Sequence, residues 1–322
     1  MQARVMEALM RPATLLFSYF AAIFIGGALI APAIYHGVQT LAASVSVFEK
    51  LANQPFHRYV DRSFMVIGIL GLVPVLRRLG FKSWAEAGLT PFSKGKRDAL
   101  RGFLFGFLSL ALAIVVVIGA GGRGFRTGQT AASILGHLLN ATLAAVLVAA
   151  IEELFFRGAV FGALRKQFSW KSALLVSSGI YAILHFLARV QAPPEVTWWS
   201  GLALLPLKLR GFGDVHQLVP AFFNLLLAGI MLGLAYQRTG SLWFSFGLHA
   251  GWIFWLKTYG FTTDNLPNTQ VWIWGSAKLI DGWVAGVVLA LLLALLWKIL
   301  PASPPRNEEI PPATGQPGSP VV

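Results

Sequence analysis

The chain has 322 residues and no cysteine, which excludes disulfides, thiol nucleophiles and cysteine-ligated metals. It is also poor in charge: only 12% of its residues are Asp, Glu, Lys or Arg, against about 25% in an ordinary soluble domain. Acidic residues are the scarcer kind, 13 against 26 basic ones, for a net charge of +13. A basic excess can mark a nucleic-acid binder, but no folded motif of that class is present, and nucleic acid is not expected as a partner. There is no series of short alternating segments of the kind that builds a β-barrel. No internal repeat and no soluble domain is visible.

What the chain has in abundance is hydrocarbon. Of its residues 56% are hydrophobic, and apolar runs of membrane-spanning length recur along it, each ended by a basic or Gly/Pro-rich stretch. The runs fall at 13–35, 60–76, 98–119, 138–164, 171–188, 219–237, 241–258 and 279–299. The fold class expected is therefore all-α, a polytopic membrane protein with about eight transmembrane helices and the lipid bilayer as its first partner. The first run, from Ala13 to about Tyr35, is long for a signal-peptide core and reads as a span. With eight spans, 15 basic residues fall on the side of the termini and ten on the other, with Arg157 left inside a span. That bias places both termini in the cytosol. The Pro-rich tail from Pro301, PASPPRNEEIPPATGQPGSPVV, lacks a core-forming pattern and is expected to be disordered.

Against this background residues 151–158, IEELFFRG, stand out, because ionisable groups inside a span are costly and commonly functional. Glu153 and Arg157 are four apart and can pair on one helix face in the favourable acid-first order. Glu152 is turned about 100° away from Glu153, so it can face something else. Two histidines share its depth. Glu152 lies 14 residues before Lys166, His185 lies 14 after Lys171, and His249 lies 11 after Arg238. At about 1.5 Å per residue these are depths of roughly 16–21 Å below one face. Asn224, 14 residues before Arg238, joins them, and Tyr181 sits one turn before His185. The plainer alternative is that each is a polar residue satisfied by a neighbouring helix. His137, at the outer end of its span, and His36, His57 and His216 in loops fit that alternative.

The same residues resemble the CPBP family of intramembrane proteases, which includes the CAAX prenyl endopeptidases and bacteriocin-processing or immunity-associated relatives. The family pattern is EExxxR, then FxxxH, then HxxxN. The first is intact as Glu152, Glu153 and Arg157; the second runs from Tyr181 to His185, with Tyr for Phe; the third has His249 but Ile253 in place of Asn. The approach RTGSLWFSFGLHAGW and the earlier stretch WAEAGLTP are also similar to the family. The resemblance covers residues 84–258. It divides the chain into two N-terminal spans (1–83), a protease core (84–258), a last span (259–300) and the tail (301–322).

The resemblance implies an intramembrane endopeptidase acting on a membrane-associated protein or peptide. Glu152 would be the general base, His185 would hold the attacking water, and His249 would stabilise the oxyanion. Glu153, Arg157 and Tyr181 would support them, with Asn224 a candidate by depth for the missing Asn. Glu152, His185 and His249 also form a ligand set suited to catalytic zinc. A metal-independent glutamic mechanism is the preferred reading, because no HExxH helix is present and few groups to orient the would-be ligands are evident. Two readings from another class use the same cluster: a membrane immunity protein that acts by binding, and a transporter. The short loops and the lack of organelle signals point to a prokaryotic plasma membrane.

Overall fold

The computed structural model describes residues 13–187, 190 and 195–301. Arg4, Arg11, Arg189 and Arg306, used in weighing sidedness, lie outside the described residues, as does the tail beyond Pro301. Nine helices longer than one turn organise the described residues: α1 Ala13–Ala42, α2 Phe56–Arg78, α3 Phe92–Gly119, α4 Ala131–Leu164, α5 Trp170–Leu184, α6 Ser200–Lys208, α7 Val215–Thr239, α8 Leu242–Thr262 and α9 Trp283–Ile299. Each of the eight expected spans has a helix at its place, and α6 is an addition.

Five of them, α1 to α4 and α7, are long and apolar enough to cross a membrane. The other three expected spans depart from that standard for separate reasons. Helices α5 and α9 are short, at 15 and 17 residues. Helix α8 has 21 residues but carries Ser, Gly, His and Trp among its apolar ones, and much of it is buried among its neighbours. Leu104, Leu108, Leu112 and Val115 on α3, and Leu135, Leu139, Leu143 and Leu147 on α4, are exposed. Their spacing of three or four makes an apolar stripe on each helix, a surface that suits lipid rather than water.

Local sequence explains where the helices begin and bend. Thr130 caps α4 through the Ser133 N–H, Ser169 caps α5 through Ser172, and Asp214 caps α7 through Gln217. Between α7 and α8 the chain turns on Thr239-Gly240-Ser241. Gly240 takes the left-handed conformation, φ 68°, that ends a helix, and the Ser241 hydroxyl accepts from Trp243 N–H to start the next. The turn is anchored on the WAEAGLTP stretch: Leu242 N–H donates to Gly88 O (2.9 Å) and Trp243 Nε1 to Thr90 O (2.8 Å). Pro32, Pro74 and Pro220 lie inside α1, α2 and α7 without ending them. That is tolerated where neighbouring helices shield the freed carbonyls.

The most extensive helix contact is the crossing of α3 and α8, which run parallel. Gly102 and Gly106 of α3 face Gly247 and Gly251 of α8, in a spacing that lets two backbones touch. A Cβ on Gly247 would stand 1.9 Å from Ala99 O, and one on Gly106 would stand 2.2 Å from Leu248 O. Where these two helices end, β1 (Arg123–Phe125) pairs antiparallel with β2 (Thr263–Asn265). The sequence gives no alternation long enough to announce this ribbon. Buried Arg123 ties it, donating to Thr263 Oγ1 (2.9 Å) and Thr263 O (2.7 Å). Outside the buried part, a hydrogen bond from Arg126 holds the Asp264 carboxyl below its ordinary range.

Helix α4 packs along the other side of α8, α5 packs on α7, and α9 closes on α7. His249 is thereby fixed between Gly247 and Gly251 at a crossing where backbones touch. Gly247→Ala is expected to lower the thermal midpoint of the detergent-solubilised protein by several degrees, an overpacking cost of about 1–3 kcal/mol or more. Gly136→Ala, on an exposed part of α4 where an added Cβ meets nothing within 4 Å, is expected to leave the midpoint unchanged or raise it slightly. Equal melting of the two variants would contradict this account of the crossing.

Candidate active site

Helix α4 changes its winding at the motif. Its α-helical part ends at Glu152, and Glu153–Phe161 follow as a π-helix, with Gly162 N–H reaching back to Arg157 O. Such widened turns are rare and occur frequently at functional sites. The expected pair forms within it: Arg157 Nη1 donates to Glu153 Oε1 at 2.9 Å, with both side chains almost fully buried.

The same oxygen has a second partner that sequence spacing does not reveal. His249 Nδ1 lies 2.8 Å from Glu153 Oε1. A carboxylate can only accept, so Nδ1 carries the proton and donates. Glu153 therefore joins Arg157 of its own helix to His249 of α8. The Arg157 guanidinium also stands 4.6 Å over the Tyr181 ring, a cation–π contact.

His185 is the first residue beyond α5, which ends at Leu184 and not at 188 as expected. One ring nitrogen of His185 is also held, with Nδ1 2.7 Å from Tyr181 O. The acceptor is a backbone carbonyl, so this nitrogen too is the donor. The Tyr181 ring packs 4.3 Å from the His185 ring and edge-on against Phe156. Its hydroxyl lies 3.5 Å from His249 Nε2.

With both Nδ1 atoms held, the two Nε2 atoms face Glu152. Glu152 Oε2 is 3.9 Å from His185 Nε2 and 3.8 Å from His249 Nε2. These separations exceed a direct hydrogen bond and suit one shared water. Oε2 itself is buried and has no hydrogen-bond partner in the protein. The side chains of Glu152 and His185 are about a quarter to a third exposed, at 26% and 30%, whereas Glu153 is at 1%. The site is therefore open on the side of Glu152 and His185 and closed behind Glu153.

Six of the seven residues singled out in the sequence thus meet at one place: Glu152, Glu153, Arg157, Tyr181, His185 and His249. Asn224 does not join them. Its Nδ2 donates to Ile280 O (2.7 Å) and Gly282 O (2.8 Å), and its side chain packs on Gly286 of α9. It secures the chain entering α9, and the suggestion that it replaces the missing Asn finds no support in its contacts. Ile253 packs with Ala145 and Ala149, on α4 ahead of Glu152, and offers no donor. His137 stacks on Phe261 and bonds Lys257 O, as a residue at the end of a span.

The contacts also correct one argument used against zinc. Outer partners are present for both histidines, the Tyr181 carbonyl and the Glu153 carboxylate, the kinds of group that orient metal-ligating imidazoles. Among the described residues no group of three His, Cys, Asp or Glu is arranged to hold an ion. The separations from Glu152 Oε2 exceed the roughly 3.3 Å between two ligands of a tetrahedral zinc by about half an ångström.

Residues 134–255 match the model of a family described as Rce1-like, type II CAAX prenyl endopeptidase. The match runs from α4 into α8 and includes the whole cluster. It is shorter than the resemblance over 84–258, because the WAEAGLTP stretch and α3 lie outside it. No curated protein and no solved structure matches the chain.

Structural and reactive roles should separate by stability. Arg157→Met leaves the Glu153 carboxylate buried without its counter-ion and is expected to cost about 3–5 kcal/mol. Glu152→Gln removes a charge whose Oε2 has no protein partner and should melt close to wild type. Thermal unfolding in detergent checks both. A Glu152→Gln variant as unstable as Arg157→Met would assign Glu152 to the scaffold.

Proposed function

We propose that the chain is an intramembrane endopeptidase in which Glu152, His185 and His249 hydrolyse a peptide bond; the match of residues 134–255 to the Rce1-like family supports this reading. The observation that carries this reading is the convergence of Glu152 Oε2 with two Nε2 atoms whose Nδ1 partners are already held. The site belongs to an integral membrane protein. The substrate proposed is a membrane-associated protein or peptide, and prenylated C-terminal peptides are the first to test because the family description names them. The finer topology is part of the proposal: eight spans with both termini in the cytosol, in a prokaryotic plasma membrane. It is supported by a helix at each expected place and by the distribution of basic residues.

The reaction follows from the positions of the protons. A water held between Glu152 Oε2 and His185 Nε2 gives one proton to Glu152 as its oxygen attacks the scissile carbonyl carbon. The carbonyl π electrons move to oxygen, and the resulting oxyanion is met by His249 Nε2. With Nδ1–H directed at Glu153, donation from Nε2 requires a second proton on the ring, beside which the Glu153 carboxylate lies. Collapse of the tetrahedral intermediate breaks the C–N bond, and Glu152 returns its proton to the leaving amine. The surroundings are apolar, so each of these charge contacts counts for more than in water.

The deciding comparison is of protein termini in membranes carrying wild type or Glu152→Gln at matched expression. New termini are expected only with wild type, and the variant should lose about 10²–10⁴ in rate. Identical termini, with the wild-type phenotype retained by Glu152→Gln, would favour a binding or transport protein. On purified protein, activity is expected to survive strong chelators. Loss on chelation with rescue by zinc would show that the histidine pair and Glu152 close around a metal, for which their outer contacts are already suited.

A further inference from the structure

We propose that the Tyr181 hydroxyl is the second hydrogen-bond donor to the oxyanion, beside His249 Nε2; this rests on the proteolytic reading above. An oxyanion is best stabilised by donors fixed before the reaction, and the loss of one is costly. The polar side chains on the helices around Glu152 leave few candidates. Arg157 is engaged by Glu153. Asn224 is directed to Ile280 and Gly282, and Ser245 to Leu242 O. Ser178 is pressed against Gly229 of α7 with its hydroxyl unpartnered, and Ile253 is hydrocarbon. Among these hydroxyls, that of Tyr181 is the one in contact with His249 Nε2.

Its side chain is buried, at 3% exposure, and a buried tyrosine hydroxyl ordinarily has a firm partner. Here its hydrogen-bond partner is His249 Nε2 at 3.5 Å, at the outer limit of a hydrogen bond. The two groups are too far apart to satisfy each other well and close enough to share a third atom. An oxygen about 2.8 Å from each would complete a triangle on that 3.5 Å base. The oxygen of a carbonyl under attack beside Glu152 Oε2 is such an atom, since Oε2 is itself 3.8 Å from the same Nε2.

The ring's other contacts do not need the hydroxyl. Its edge-on packing with Phe156, its approach to His185 and its place under Arg157 would all be kept by phenylalanine. The hydroxyl is thus separable from the packing, and Tyr181→Phe tests it with little disturbance of the fold.

The experiment uses the full chain in liposomes, with the substrate whose new terminus distinguishes wild type from Glu152→Gln. Tyr181→Phe is expected to lower kcat by about 10²–10³ with KM nearly unchanged. The loss should be the same factor across the pH profile, because a donor to the transition state is missing and no titrating group has moved. Wild-type kcat in Tyr181→Phe would overturn the proposal. So would a loss confined to KM, or a displaced limb of the pH profile with an unchanged plateau, which would make Tyr181 a residue acting through His249. If wild type and Glu152→Gln yield the same termini, the proteolytic reading falls first and this inference with it. A loss in Glu152→Gln with none in Tyr181→Phe refutes the tyrosine alone.

Discussion

A carboxylate buried among apolar helices must be neutralised where it lies, and Glu153 meets that demand with one oxygen. Arg157 and His249 both donate to Oε1, so a single acceptor fixes an arginine one turn along its own helix and a histidine on another. Desolvating such charges is expensive, and the attraction compensates only when the geometry is good. The rest of the cluster inherits its positions from this point. Arg157 lies over Tyr181, Tyr181 accepts from His185 through its carbonyl, and His249 turns Nε2 toward Glu152.

The glycine crossing makes that geometry possible. His249 reaches Glu153 because α8 is held against α3 at backbone contact, while its other side packs on α4 through Ala250 and Ile253. Larger residues at Gly247 or Gly251 would push α8 away from α3 and displace His249 relative to a carboxylate 2.8 Å away. Helix packing and electrostatics are therefore one constraint here. The same close approach explains why α8, with its Gly, Ser and His, is less apolar than its neighbours and still stable: what it meets is protein more than lipid.

Division of labour between the paired glutamates follows from the change in winding. Glu153 opens the π stretch and points into the bundle at 1% exposure, whereas Glu152, one residue earlier, keeps 26%. The buried one holds Arg157 and His249, and the other keeps about a quarter of its side chain open. Adjacent residues of the same type thus acquire different chemistry from their surroundings, without any difference in the side chain itself.

Much of this was legible in the chain. Apolar run lengths place the helices, the spacing of Glu153 and Arg157 announces their pair, and counting from basic boundary residues sets Glu152, His185 and His249 at one depth. Those are local or one-dimensional properties, governed by helix rise and by the cost of charge in hydrocarbon. Sequence by itself could not decide which way each side chain turns once at that depth. Asn224 shows this: it has the right depth, and its amide is bonded to the chain entering α9. The sharing of Glu153, the held Nδ1 atoms, the end of α5 at Leu184, the ribbon of Arg123–Phe125 with Thr263–Asn265 and the place of the Tyr181 hydroxyl were decided by tertiary structure. Apart from the His185 bond to Tyr181 O, four residues away, and the end of α5, these depend on contacts between segments distant in the chain, and no periodicity within one segment records them.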